Sequence, residues 1–115
     1  MSVLAGGLSA EKQELAPGQE LGPYHYDHGN ETWLLVTAGH PTARYPGGEE
    51  RLGPGDMVCF PAGPAGAHQV SNHGTEPARV IWLTTRHVPS VLVFPDTGMV
   101  ELRVAGESIQ LRPVG

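Results

Sequence analysis

The chain contains one lysine, Lys12, and one cysteine, Cys59, in 115 residues. With a single thiol no disulfide can form within the chain, and Cys59 reads as a small packed thiol rather than a nucleophile or ligand. Basic charge is scarce as well. Seven Lys and Arg stand against 12 Asp and Glu for a formal charge of −5. No Lys/Arg cluster is available to neutralise a run of phosphates, which excludes nucleic acid as a partner. No stretch approaches the ~20 apolar residues needed to cross a bilayer. The opening segment Ser2 to Leu8 lacks the basic flank and the apolar length of a secretory signal. No membrane partner and a cytoplasmic location are therefore expected.

Helix is disfavoured by what the chain has in excess. Its 16 Gly and 11 Pro are spread along the sequence and break it into many short elements. With 39% hydrophobic and 17% charged residues the chain has enough apolar surface to fold, and its length suits one domain spanning residues 1–115. Apolar runs alternate with turn clusters at the spacing of sandwiches and barrels, so the fold class is all-β. Strands are expected at Pro23–Asp27, Glu31–Ala38, Pro41–Tyr45, Glu49–Leu52, Asp56–Phe60, His68–Ser71, Ala78–Thr84, Val91–Phe94, Val100–Val104 and Ser108–Leu111. The run Trp33-Leu34-Leu35-Val36 is apolar on both faces, which predicts a central strand covered on both sides. Ser9 to Glu14 reads as the one short helix-like piece, with Ser9 as its cap. Val91–Phe94 is expected to pack on the barrel or on a second subunit, because an unpaired apolar strand invites aggregation.

Six histidines are present, and two have informative neighbours. In the extended run Tyr24-His25-Tyr26-Asp27, alternation puts His25 and Asp27 on one face. A bend at Gly29-Asn30 would allow Glu31 to rejoin that face. His68 follows the irregular loop Pro61 to Ala67 and leads a strand, a natural way to present a side chain at a barrel rim. Two imidazoles with one or two carboxylates make a mixed N/O set suited to Zn, Ni, Fe or Mn. The same set can also work as acid and base without a metal. His40, His73 and His87 read as surface, and Trp33 and Trp82 as core or dimer-face residues.

The segment from Pro17 to Leu83 resembles the cupins. The second motif of that family is clear in Gly55, Pro61-Ala62-Gly63, His68 and Asn72, with two extra residues in the loop before His68. The first motif is looser. Gly18 lies one residue too far from His25, Asp27 stands where a second His belongs, Glu31 fits the spacing, and Gly39 ends it.

The resemblance implies a double-stranded β-helix, or jelly roll, with a barrel core at about 17–87 followed by a C-terminal strand and hairpin at 88–115. It further implies a homodimer, and a divalent transition metal (Zn, Ni, Fe or Mn) held by the matching His25, Asp27, Glu31 and His68. Tyr24 and His28 would then lie near a small-molecule ligand. The activity expected is that of a metal-dependent oxygenase or isomerase acting on a small organic molecule. The alternative is a non-catalytic, metal-free cupin that binds a small molecule or sugar with the same residues.

Overall fold

A computed structural model describes the backbone of residues 2–5 and the whole of residues 7–112. The ends of the expected 1–115 domain, and part of the segment read for a signal, lie outside the described residues. The strands are β1 (Ser2–Ala5), β2 (Leu8–Leu15), β3 (Glu20–Asp27), β4 (Thr32–Ala38), β5 (Thr42–Tyr45), β6 (Gly48–Arg51), β7 (Met57–Phe60), β8 (His68–Ser71), β9 (Ala78–Thr85), β10 (Ser90–Phe94), β11 (Met99–Val104) and β12 (Glu107–Leu111). One 3₁₀ turn, Pro64–Gly66, precedes β8. The strands form two antiparallel sheets, in the orders β1-β2-β9-β4-β7 and β12-β11-β10-β3-β8-β5-β6. The all-β double-stranded β-helix expected from sequence is thus the fold observed. Among the described residues no helix is long and apolar enough to cross a membrane.

The helix expected at Ser9 to Glu14 is not there. These residues belong to β2, which pairs with β9 without a break from Leu8↔Thr85 to Leu15↔Ala78. The Ser9 hydroxyl donates to the Thr84 carbonyl instead of capping anything. A six-residue helix has little stability of its own, so eight rungs of sheet pairing override the local preference.

Each of three neighbouring strands is apolar at one end and polar at the other on its inward face. Along β2 the inward residues run from fully buried Leu15 through half-buried Gln13 to exposed Glu11. Along β9 they run from Ala78 and Val80 to Trp82 and Thr84, and along β4 from Val36 and Leu34 to Thr32. The interior is consequently divided. Leu15, Leu34, Val36, Ala43, Leu52, Phe60, Val70, Ala78 and Val80 fill one half as a core. The other half is left open as a polar cavity.

Strand β4 is central, between β9 and β7, as the sequence predicts. Its two faces differ, however. Leu34 and Val36 are buried, whereas Trp33 points outward and is 40% exposed beside exposed Leu8 and Met57. The expected cover on both sides is absent from the single chain, because the second sheet packs on one face only. Val91–Phe94 takes the first of its two expected placements. It lies within β10, paired with β3 at Val93↔Tyr26 and with β11 along its whole length.

Candidate functional site

The site begins with a bulge in β3. Leu21 pairs with Val70 and His25 with His68, so four steps along β3 match two along β8. The surplus is taken up at Gly22-Pro23, where Gly22 adopts φ of 61° and its carbonyl accepts a hydrogen bond from Gln69 Nε2 at 2.8 Å. A bulge of this kind re-aims the side chains that follow it. It brings His25 directly opposite His68, with ring centroids 4.9 Å apart.

Both rings are fixed by backbone carbonyls two residues earlier in the chain, one on β3 and one in the 3₁₀ turn before β8. His25 Nδ1 lies 3.0 Å from the Pro23 oxygen, and His68 Nδ1 lies 2.8 Å from the Gly66 oxygen. A carbonyl only accepts, so Nδ1 carries a proton in each ring, and the tautomer selected is the one with its acceptor lone pair on Nε2. Gly66 is the residue this arrangement requires, because a Cβ there would run into the Pro61 carbonyl. Phe60 stacks on the His68 ring at 4.0 Å, nearly parallel. Burial under Phe60 and Trp82 disfavours the charged imidazolium and lowers the His68 pKa to about 4, with the nearby His25 adding to the shift and the Gly66 carbonyl opposing it. His68 is therefore uncharged throughout the physiological range.

The two histidines line a cavity of about 270 Å³ together with Asp27, Asn30, Thr32, Trp82, Thr84, Glu11, Gln13 and Arg103. Asp27 sits on the His25 face, as alternation predicts, but its carboxylate is already engaged. Oδ1 accepts from the Gly29 amide at 2.7 Å and Oδ2 from Asn30 Nδ2 at 3.1 Å. Asn30 is buried and held on every side. Its Oδ1 accepts from the His87 amide and the Thr85 hydroxyl, and its Nδ2 also reaches the His87 carbonyl.

The remaining expected site residues lie elsewhere. Thr32, Phe60 and Thr84 form one rung of the sheet and all face the cavity. Alternation then forces Glu31 outward, where it is exposed and borders a surface groove with Leu8, Trp33, Met57 and Leu83. The bend at Gly29-Asn30 brings Asn30 into the interior in its place. Tyr24 is buried against the face of the sheet opposite His25, under the Arg44 guanidinium at 4.0 Å from its ring. His28 is exposed and stacks edge-on with Tyr26. Neither Tyr24 nor His28 reaches the cavity. Cys59 faces outward, and burial raises its thiol pKa, with Glu31 adding to the shift; it has no features of a nucleophile.

These positions decide how well the site suits a metal. Only His25, Asp27 and His68 of the four expected ligands share a cavity, and the Asp27 oxygens are both bound within their own turn. Among the described residues no group of three His, Cys, Asp or Glu side chains is arranged to hold a metal ion. The donor set does not fit a metal centre of the expected kind.

The cavity residues that the sequence did not reveal are Glu11, Gln13, Asn30, Trp82, Thr84 and Arg103. No local pattern marked the first two, because Glu11 to Glu14 is polar throughout, and only the pairing of β2 with β9 puts Glu11 and Gln13 on the inward face with Leu15. Trp82 is half-buried, with its Nε1 donating to Gln13 Oε1 at 2.7 Å; it packs against the core, as expected, and also lines the cavity.

The family model for the cupin domain matches residues 11–84, from the middle of β2 to the end of β9. This chain is a cupin. No curated protein matches it. Among solved structures, a sugar phosphate isomerase of the cupin superfamily from Silicibacter pomeroyi superposes on this cupin with a TM-score of 0.87 at 26% identity, covering 92% of this chain and 68% of the other. A protein from Acidithiobacillus ferrooxidans, provisionally assigned to the same activity, gives 0.86 at 28% identity over 91% of this chain and 67% of the other. A Thermus thermophilus protein gives 0.66 at 25% identity, covering 73% and 77%.

Proposed function

We propose that this cupin binds a small polyhydroxylated molecule of the sugar class in the barrel cavity, without needing a metal. The observation that carries the reading is the composition of the cavity wall. The Trp82 ring offers an apolar surface for the C–H face of a sugar, and Gln13, Asn30, Thr32, Thr84 and the two imidazoles surround it with hydroxyl partners. The cavity of about 270 Å³ suits a molecule of that size. His68, held uncharged, accepts a ligand hydroxyl at Nε2.

The likeness to the Silicibacter pomeroyi sugar phosphate isomerase, and to the Acidithiobacillus ferrooxidans protein provisionally assigned that activity, supports a further step, the interconversion of an aldose and a ketose. A proton leaves the carbon beside the carbonyl, rests on an imidazole Nε2 and returns to the former carbonyl carbon. The hydroxyl proton meanwhile passes to the former carbonyl oxygen, so atoms and charge balance. His25, directly opposite His68 and only half-buried, is the ring placed to carry that proton.

The test is titration with a panel of pentoses, hexoses and their phosphates in buffer containing EDTA. At least one should saturate with a dissociation constant below about 1 mM. Trp82→Ala should weaken that ligand about tenfold or more, while Trp82→Phe, which keeps an aromatic face, should largely retain it. In deuterium oxide the bound sugar should exchange the proton on the carbon beside its carbonyl, and His25→Gln should abolish the exchange. Failure of the whole panel to saturate, or saturation only after a transition metal is added, would overturn the reading.

A further inference from the structure

A second chamber of about 480 Å³ opens beside the barrel cavity, and the two share Asp27, Asn30, Thr84 and Arg103. Its lining has a different character. Ser9, Arg86, His87 and Ser90 join Arg103 there, so two of the six arginines of a chain with net charge −5 border one small space. They arrive from unrelated parts of the fold. Arg86 stands just past the end of β9, and Arg103 on β11 pairs with Ser90 of β10 and Ser108 of β12.

Arg103 is held in position. Its Nε donates to Glu101 Oε2 at 3.0 Å, and one terminal nitrogen lies 3.0 Å from the same oxygen. The other Glu101 oxygen accepts from the Ser108 hydroxyl at 2.8 Å. This orients the guanidinium at the junction of the two spaces and leaves its second terminal nitrogen for a ligand. A guanidinium fork braced by a carboxylate presents donors in a fixed geometry that matches a phosphate.

We propose that the outer chamber binds the phosphate group of a phosphorylated sugar through Arg86 and Arg103, while the sugar itself lies in the barrel cavity. The inference rests on the reading of the barrel cavity as a sugar site. Arg103 borders both spaces and so marks where the ester linkage crosses from one to the other. Glu101 is a positioning residue, acting on the ligand only through Arg103.

Titration of a pentose 5-phosphate against the parent pentose tests the assignment. The ester should bind at least about thirtyfold more tightly, and added salt should weaken only the ester. Arg86→Gln should lower affinity for the ester about tenfold and leave the parent sugar unchanged, because Arg86 does not touch the barrel cavity. Arg103→Gln should affect the ester more than the parent. A pentonate, carrying a carboxylate in place of the phosphate, distinguishes the two kinds of anion and should bind less tightly than the ester. Ester and parent binding equally, the pentonate matching the ester, or Arg86→Gln weakening both sugars alike would overturn the proposal.

Inorganic phosphate alone separates this inference from the one beneath it. Phosphate that shifts the Arg86 and Arg103 amide signals, with the shift lost in Arg86→Gln, supports the chamber even where no sugar perturbs the Trp82 indole and the barrel reading fails. Sugars that perturb Trp82 while phosphate leaves Arg86 unmoved remove the chamber alone.

Discussion

Acidification from pH 7 to pH 4 is expected to cost this fold about 3 kcal/mol through His68 alone. The ring titrates near 6.5 when exposed in the unfolded chain and near 4 in the folded protein, chiefly because it is buried, with the neighbouring His25 contributing. Above pH 6.5 neither state binds the proton, and the stability is at its plateau. Below 6.5 the unfolded chain takes up a proton that the folded chain refuses, so stability falls until pH reaches about 4, where both states are protonated. His68→Gln removes this source of pH dependence. Urea midpoints measured across that range for the protein and for His68→Gln should diverge by the stated amount, since carboxylate effects are common to both. Parallel curves would show that His68 is not held neutral.

Replacing Asn72 by Ala is expected to destabilise the fold by about 3 kcal/mol. Asn72 is 1% exposed, and its side chain makes three hydrogen bonds. Nδ2 donates to the carbonyls of Leu15 and Glu76 at 3.0 and 2.8 Å, and Oδ1 accepts from the Gly74 amide at 3.0 Å. The residue thus ties the end of β2 to the end of β8 and to the turn that leads into β9. Its backbone adds two bonds to the segment before β3, from Gly18 N and to Gln19 O. Alanine would remove the donor from the buried Leu15 carbonyl, which costs more than the bond contributes when present. A fall in melting temperature of about 10 °C or more is expected by calorimetry. Asn72→Asp should be at least as damaging, because a carboxylate would face the Leu15 and Glu76 carbonyls. A shift of less than about 3 °C for both variants would show that the cluster is not structural.

The fold was legible because its punctuation is chemical. Gly39, Gly55 and the loop Pro61 to Ala67 break the chain where turns are needed. Gly39 has φ of 78° and packs so closely on Pro77 and Ala78 that a Cβ would lie 2.5 Å from the Pro77 carbonyl. The strand β8 was legible to the residue, and β4 and β10 within one residue at their starts. Strand β2 was missed for a physical reason. Its inward residues Glu11 and Gln13 line a wet cavity, so the alternation of apolar and polar residues that marks a half-buried strand is missing there.

The site was legible in part for a related reason. His25 and Asp27 follow from simple alternation, and His68 from the loop before it. Glu31 depended on the phase after Gly29-Asn30, and phase in a strand is all or nothing, since a slip of one residue exchanges the faces. The structure resolves it with Thr32 inside and Glu31 outside. Tyr24 lies one residue from His25 and is therefore on the other face, where Arg44, itself bridged to Asp96 at 2.7 Å, covers it. Trp82 and Arg103 could not be assigned from sequence, because only the pairing of β9 with β2 and of β11 with β10 brings them to the cavity.

Long-range proton–nitrogen NMR of the histidine rings, in a titration with a pentose 5-phosphate at pH 7, tests the paired-histidine cavity most directly. The Nε2 resonance of His68 should begin as that of an unprotonated acceptor, and the resonances of both His25 and His68 should move as the ligand saturates, while the rings of exposed His40 and His73 stay fixed. Rings at 25 and 68 that ignore the ligand, or a ring at 68 that begins with the proton on Nε2, would contradict the claim that this pair lines a binding cavity.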